Sequence, residues 1–187
     1  MGTPVAIGLD LSLTGSGIAS SAGWCERVGV KDVTTLPLQQ RLAAVDDLVD
    51  QIILLARNAD LVLIEMPAFS RAGGGALERA GLWWLVTRRL WIGEVPTAEV
   101  FNQHRMRYAT GKPAAHKGAI VDAVARRWPQ FETGGDDNLA DAAVLAAMGA
   151  DWLGAPLAAM PATHRKALDG VRWPDSLTEE VAGAATA

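Results

Sequence analysis

The sequence predicts an α/β protein in which a mixed five-stranded sheet is covered by helices on both faces. Apolar residues alternate with small and polar ones over residues 5–13, which is typical of a β-strand. Residues 60–65 form a short apolar run that ends in an acid, which is typical of a strand buried on both faces. The remaining order, β-β-β-α-β-α-β-α-α, favours helices packed against a mixed sheet.

The first three strands are expected to form an antiparallel meander. Residues 14–17, Thr-Gly-Ser-Gly, follow the first strand and have the composition of a turn. Short strands are then predicted at residues 18–21 and 24–30. Further along the chain, the apolar spacing predicts a helix at 36–57, a strand at 60–65, a helix at 76–91, a strand at 97–101, and helices at 114–128 and 139–152.

The 187 residues are enough for one domain with a tail. We assign residues 1–153 to the domain and residues 154–187 to a C-terminal extension. The extension is rich in proline and alanine and has little periodicity, so we expect it to be partly ordered, held by Trp173 and frayed at its end.

Composition argues against a secreted or membrane protein. Cys25 is the single cysteine, so no intrachain disulfide can form. The sequence has no apparent signal peptide and no apolar run near the roughly 18 residues that a membrane helix needs. We therefore expect a cytoplasmic protein without a membrane partner.

Charge is unevenly distributed along the chain. The net charge is −4, which by itself does not favour a nucleic-acid partner. Residues 71–127, however, carry ten basic and four acidic groups, whereas acidic groups predominate on either side. This basic middle segment would suit phosphate contacts, although solvated helix faces produce the same pattern.

Acidic residues stand at three positions that a folded sheet would bring together. Asp10 lies on the first strand between Gly8 and Ser12, and we expect these small neighbours to leave open space beside the carboxylate. Glu65 ends the strand at 60–65, and sites in α/β sheets gather at the carboxyl ends of parallel strands. Each acid could instead only accept hydrogen bonds from a turn or a helix end.

The third acidic position is the start of the helix at 139–152. Asp136 or Asp137 is a candidate N-cap, whereas Asp141 lies a full turn further on, within an apolar face. A buried carboxylate without a partner is unfavourable, so Asp141 requires a counter-charge such as a metal ion. Carboxylates converging from two strands and a helix are the ligands that Mg²⁺ prefers, and paired ions of this kind hydrolyse phosphodiesters.

Four segments in this order resemble the RuvC family of Holliday-junction resolvases, within the RNase H-like superfamily. They are residues 7–17 (IGLDLSLTGSG), 62–65 (VLIE), 111–117 (GKPAAHK) and 140–142 (ADA). The compact chain with its short loops is similar to the RuvC-like resolvases of phages that infect actinobacteria. The resemblance implies an RNase H-like fold, a homodimer, and metal-dependent nicking of two opposed strands of a four-way DNA junction. It also implies a role in recombination and repair in a bacterial or phage-infected cell.

The same resemblance implies the metal ligands and the cofactor. Asp10, Glu65 and Asp141 match family ligands. The family has an aspartate three residues before the last ligand, where this chain has Asn138; we expect Asp137 to serve as the fourth ligand, with Asn138 as the alternative. Two Mg²⁺ ions per site are implied, with Mn²⁺ as a substitute, and no nucleotide cofactor.

The resemblance further implies residues that contact DNA. Lys117 matches a family lysine near the scissile phosphate, where it would stabilise developing negative charge. Phe69 lies where the family has an aromatic residue that stacks on junction bases, unless it folds back onto the core. The expected phosphate contacts are Arg71, Arg105, Arg107, Lys112 and Lys117.

Two alternatives to a junction resolvase stay open on the sequence. A nuclease of the same fold that cleaves flaps, forks or other branched DNA would carry the same acids. A catalytically silent junction-binding protein would account for Asn138.

Overall fold

In a computed structural model of the chain, residues 2–67 and 75–177 are described, and they form one five-stranded sheet. The strand order is β3-β2-β1-β4-β5. Pairings β1–β2 and β2–β3 are antiparallel, whereas β1–β4 and β4–β5 are parallel. The strands are β1 (Ala6–Asp10), β2 (Ser16–Ser20), β3 (Trp24–Val28), β4 (Leu61–Glu65) and β5 (Thr97–Val100). The predicted mixed sheet and its antiparallel meander are confirmed.

Helices cover both faces of this sheet, as the sequence predicted. They are α1 (Leu38–Ala56), α2 (Ala76–Ile92), α3 (Asn102–Thr110), α4 (Lys117–Arg127), α5 (Asp137–Trp152) and the short α6 (Ala162–Arg165). Helices α1 and α2 pack on one face, and α3, α4 and α5 pack on the other. None of the described helices is long and apolar enough to cross a membrane.

Helix α3 was not predicted from the sequence, which assigned no element to residues 102–110. Its sequence, NQHRMRYAT, is mostly polar, so it has no apolar periodicity to detect. The helix nevertheless buries Arg105, Tyr108 and Ala109, which share one face because they are three and four residues apart. The Tyr108 ring stacks on Trp128 with 6.0 Å between ring centroids. Tertiary packing therefore stabilises this helix.

Helix α5 lies directly against β1 and β2. A Cβ added at Gly8 would collide with the carbonyl oxygen of Ala142 and lie 2.5 Å from the backbone nitrogen of Ala146. A Cβ at Gly17 would likewise collide with the backbone of Asn138. The expectation that Gly8 leaves open space beside Asp10 is therefore wrong, because the backbone of α5 fills that space.

The described part of the C-terminal extension packs onto the domain. Trp173 stacks on Trp152 with 4.4 Å between ring centroids, and its Nε1 donates to the carbonyl oxygen of Leu168 at 3.1 Å. Arg172 forms a β-bridge with Glu99, in β5. Residues 154–177 are thus joined to the sheet edge and to the end of α5.

Replacing Gly8 with alanine is expected to destabilise the protein. The added methyl group would meet α5 backbone, which cannot move aside as a side chain can, and overpacking of this kind costs about 1–3 kcal/mol. Chemical denaturation of Gly8→Ala and Gly118→Ala would measure the effect. Gly118, in α4, is the control, because a methyl group added there would meet no other part of the described protein within 4 Å. Equal stability of the two variants would contradict the close packing.

Candidate active site

Two carboxylates end neighbouring parallel strands. Asp10 is the last residue of β1, and Glu65 is the last residue of β4. The register pairs Leu9 with Ile64, so Asp10 and Glu65 follow side by side. Because successive side chains alternate between faces, both carboxylates belong to the α5 face of the sheet, together with Gly8 and Leu63. The parallel pairing therefore brings the first two predicted acids together.

Helix α5 brings the third carboxylate to the same place. Asp136 is the N-cap, since its Oδ1 accepts hydrogen bonds from the backbone nitrogens of Asn138 at 2.9 Å and Leu139 at 3.2 Å. Asp141 lies one turn into the helix, with a side chain that is 15% exposed. Of the two candidate caps, Asp136 is the one used, and Asp137 occupies the first turn.

Asn138 is engaged with the turn after β1. Its Nδ2 donates to the carbonyl oxygen of Gly15 at 2.7 Å. The amide therefore joins the start of α5 to the β1–β2 turn, and its Oδ1 is the atom that could act as a ligand.

Arg105 lies between two of the acids. Its side chain is 5% exposed; Nε donates to Oε2 of Glu65 and Nη1 donates to Oδ1 of Asp141. The sequence suggested Arg105 as a phosphate contact, but the structure places its guanidinium against carboxylates inside the protein. The spacing of Arg105, Tyr108 and Ala109 is the signal that could have indicated an inward orientation, had α3 been predicted.

Burial strongly perturbs two of the carboxyl groups. Burial, followed by the charges of Glu65 and Asp141, raises the pKa of Asp10 to about 8. Burial also raises the pKa of Asp141 to about 7, although the Arg105 guanidinium acts in the opposite direction. With no metal bound, Asp10 is therefore mostly protonated at neutral pH.

Asp137 and Lys117 form an exposed ion pair beside this cluster. Lys117 Nζ donates to Asp137 Oδ2, and the lysine side chain is 80% exposed. This hydrogen bond lowers the pKa of the Asp137 carboxyl and raises the pKa of the Lys117 ammonium. The predicted fourth ligand and the predicted catalytic lysine thus contact each other.

Asp10 and Glu65 open onto a cleft of about 580 Å³ between the strand ends and α2. Trp83 lies in its wall and donates from Nε1 to the carbonyl oxygen of Glu65 at 3.1 Å. Asp10, Leu11, Glu65, Met66, Pro67, Ala76, Arg79, Ala80, Trp83 and Trp84 line the cleft. A substrate in this cleft would contact Asp10 and Glu65.

Asp10, Glu65 and Asp141 have the donor chemistry of a divalent-cation site. They supply hard carboxylate oxygens, and burial, together with the charges of neighbouring carboxylates, raises the pKa values of Asp10 and Asp141. Over residues 2–67 and 75–177, however, no three acidic, histidine or cysteine side chains are placed to share one ion as they stand. The ligand types fit Mg²⁺, while Arg105 already contacts Oε2 of Glu65 and Oδ1 of Asp141.

The other predicted DNA contacts lie in different surroundings. Arg107 is half-buried on α3, and Lys112 is exposed in the loop between α3 and α4. Phe69 and Arg71 lie outside the described residues.

The contribution of Asp10 to the stability of the metal-free protein should fall as pH rises. In the unfolded chain Asp10 has its ordinary pKa of 3.8 and loses its proton above that pH, whereas in the folded protein it keeps the proton up to about pH 8. Between about pH 4 and 8 the folded state is therefore progressively disfavoured. Asp10→Asn should weaken this fall, and at pH 8 it should raise the Tm in EDTA by about 2–4 °C for each kcal/mol gained.

Thermal unfolding in EDTA from pH 5 to 8.5 would measure this difference. Asp46→Asn, an exposed site on α1, is the control and should follow the wild type. Parallel pH profiles for Asp10→Asn and wild type would show that Asp10 is not protonated on folding.

The described residues match known structures at the level of the fold. No protein-family model matches the sequence, and no curated protein matches it. The structure is similar to Thermus thermophilus RuvC, with a TM-score of 0.56 and 18% identity over 76% of this chain and 90% of that one. It is also similar to T. thermophilus RuvC in complex with a Holliday junction substrate, with a TM-score of 0.57 and 19% identity over the same shares.

The RuvC-like architecture expected from the four sequence segments is therefore confirmed as a fold. The chain has the RNase H-like fold of RuvC.

Proposed function

We propose that this protein is a metal-dependent endodeoxyribonuclease that resolves four-way DNA junctions by paired, symmetric nicks. The observation that carries the proposal is the clustering of Asp10, Glu65 and Asp141 beside a cleft that Asp10 and Glu65 line. The fold adds support, because a similar structure is that of a RuvC bound to a Holliday junction. A nuclease directed at flaps or forks would use the same acids, so the substrate must be tested directly.

In this proposal the site holds Mg²⁺, with Mn²⁺ as a substitute. Asp10, Glu65 and Asp141 supply the ligands, and Asp137 or the Oδ1 of Asn138 completes the set. Two bound ions would activate the attacking water and stabilise the leaving oxygen of the phosphodiester. The protein positions the carboxylates from rigid strand ends and a closely packed helix, which is what precise ligation requires.

Lys117 is proposed to act on the phosphate. It is exposed beside the acid cluster, and its ammonium is held near by Asp137. An exposed ion pair contributes little stability, so Lys117 can exchange the carboxylate for a phosphate oxygen at small cost. A positive charge there would stabilise the negative charge that develops during phosphodiester cleavage.

The proposed DNA-binding surface surrounds the acid cluster. Lys112 and Lys117 are exposed at the α3–α4 side, and Arg107 is half-buried on α3. Phe69 and Arg71 belong to the segment between β4 and α2, and in the sequence they follow Pro67, which lines the cleft. We propose base stacking for Phe69 and phosphate contacts for the basic residues, each of which would add to the salt dependence of binding.

The proposed homodimer would use the outer side of α2. Trp84 and Trp91 are 69% and 75% exposed, and Leu77 and Ile92 on the same helix are also exposed. Next to them lies an apolar groove of about 880 Å³ between α2, β5 and the C-terminal segment. Concentrated apolar surface of this kind marks interaction sites, and two opposed nicks require two active sites related by a two-fold axis.

Loss of either buried acid should abolish cleavage but not junction binding. Asp10→Asn and Asp141→Asn keep side-chain size but remove a ligand charge, so nicking should fall by more than the roughly 10–100-fold typical of an outer partner of a metal ligand. A panel of labelled four-way junctions, flaps and forks, with Mg²⁺ or EDTA, would give both nick positions and binding. Asp46→Asn is the matched control.

The outcomes separate the alternatives. Paired symmetric nicks on the junction support a resolvase, and preferred cleavage of flaps or forks identifies the related nuclease. Junction binding with no nicking in Mg²⁺ or Mn²⁺ identifies the silent binding protein. Two features favour that outcome: Asn138 stands where the family has an aspartate, and Arg105 pairs with two candidate ligands.

Charges on the outer side of α2 should produce a monomer. Trp84→Glu combined with Trp91→Glu would place two acids in the proposed interface, and like charges across a two-fold axis repel. Light scattering after size exclusion would report the mass, and paired nicking should become single and uncoordinated. Leu54→Glu, an exposed site on α1, is the control. If the wild-type protein is a monomer at micromolar concentration with junction bound, the proposed dimer interface on α2 is wrong.

A further inference from the structure

Arg105 is the one buried arginine among the described residues. Its side chain is 5% exposed, and those of Glu65 and Asp141 are 13% and 15% exposed. A guanidinium does not deprotonate in proteins, so Arg105 carries a permanent charge at this site. Its two different nitrogens contact carboxylates from two different elements, β4 and α5.

The position of Arg105 follows from the fold. Helix α3 begins directly after β5, the strand next to β4, so the first turn of α3 lies beside the carboxyl end of β4. Tyr108 anchors the same face of α3 by donating from its hydroxyl to Asp151 at 2.9 Å. Packing at Tyr108 therefore fixes the helix that carries Arg105.

Arg105 compensates charge that would otherwise be unfavourable. Glu65 and Asp141 are two largely buried carboxylates that meet at the same guanidinium. Removing one partner from a buried ion pair leaves an uncompensated charge, which is strongly destabilising. Glu65 and Asp141 each direct an oxygen at the arginine, and no three acids are placed to share an ion within the described residues.

We propose that Arg105 is a resident counter-cation, which holds Glu65 and Asp141 in place without metal and competes with a divalent ion for their oxygens. This inference rests on the proposed metal site and adds a residue that acts against metal binding. Arg105 is a positioning residue here, because it acts through Glu65 and Asp141 and need not touch DNA. In this proposal, an ion that binds Oε2 of Glu65 or Oδ1 of Asp141 displaces one of the two ion pairs.

Lys117 provides an internal contrast. Its pair with Asp137 is exposed, so rearrangement there costs little. Arg105 is buried and forms two ion pairs, so the free energy of binding an ion has to offset the loss of one of these pairs. Metal affinity should therefore depend on Arg105.

Binding of Mn²⁺ to the metal-free protein, measured by calorimetry without DNA, tests this inference. Arg105→Met removes the charge and keeps much of the apolar stem, so Mn²⁺ should bind roughly tenfold tighter or more, within the scale of outer-partner effects on metal affinity. The Tm in EDTA should fall, and Mn²⁺ should raise it by more than in the wild type. Arg105→Lys keeps the charge but loses the two-pronged contact and should lie between them.

Arg41→Met is the matched control. Arg41, in α1, pairs with Glu78 of α2 at 2.7 Å, on the opposite face of the sheet from α3 and α5. This variant should lower the Tm in EDTA and leave the Mn²⁺ affinity unchanged. A general loss of stability is thereby separated from an effect on the metal site.

The wild-type protein provides a second measurement if Arg105→Met does not fold. The Nε–H proton of a buried, ion-paired arginine is observable in a ¹H–¹⁵N spectrum, and Mg²⁺ should shift or broaden the Arg105 signal as Glu65 is released. An unchanged Arg105 signal at Mg²⁺ saturation, with carboxyl signals of Asp10 or Asp141 perturbed, overturns the inference.

The remaining outcomes distinguish this inference from the proposed function. Equal or weaker Mn²⁺ binding by Arg105→Met, while wild type cleaves junctions, overturns the role of Arg105 and leaves the nuclease intact. Binding of Mn²⁺ by Arg105→Met but not by wild type supports it. Absence of Mn²⁺ binding to every variant overturns both.

Discussion

The close approach of α5 to β1 is the constraint on which the site depends. Glycine at positions 8 and 17 lets the backbone of α5 lie directly on the strands, where any side chain would collide with Ala142 or Asn138. Small residues after Asp141 allow the same approach from the helix side. Asp141 thereby reaches the edge at which Asp10 and Glu65 end their strands. A larger residue at either glycine would move the third carboxylate away from the other two.

The second organising feature is the balance of charge inside the protein. Three acids gathered in a half-buried space are unfavourable in the absence of positive charge, and the raised pKa values of Asp10 and Asp141 reflect this. Arg105 offsets part of the charge from within the core. Arg105 thus supplies positive charge to Glu65 and Asp141 from the protein itself.

The described C-terminal segment packs against the sheet edge and the end of α5. The match covers 90% of the RuvC chain but 76% of this one, so part of this chain has no counterpart there. Residues 154–177 pack through the Trp152–Trp173 stack and the Arg172–Glu99 bridge, beside the groove at α2. This segment therefore borders the surface that we propose for dimerisation.

The sequence by itself determined the mixed sheet, the candidate ligands Asp10, Glu65 and Asp141, and the likeness to RuvC, because alternation, apolar runs and motif order are local properties. Tertiary structure alone decided three points. Helix α3 forms although its polar sequence has no apolar period. The backbone of α5 lies in the space beside Gly8. Arg105, expected to contact DNA, contacts the acid cluster instead. Each depends on contacts between residues far apart in the chain, which local pattern does not encode.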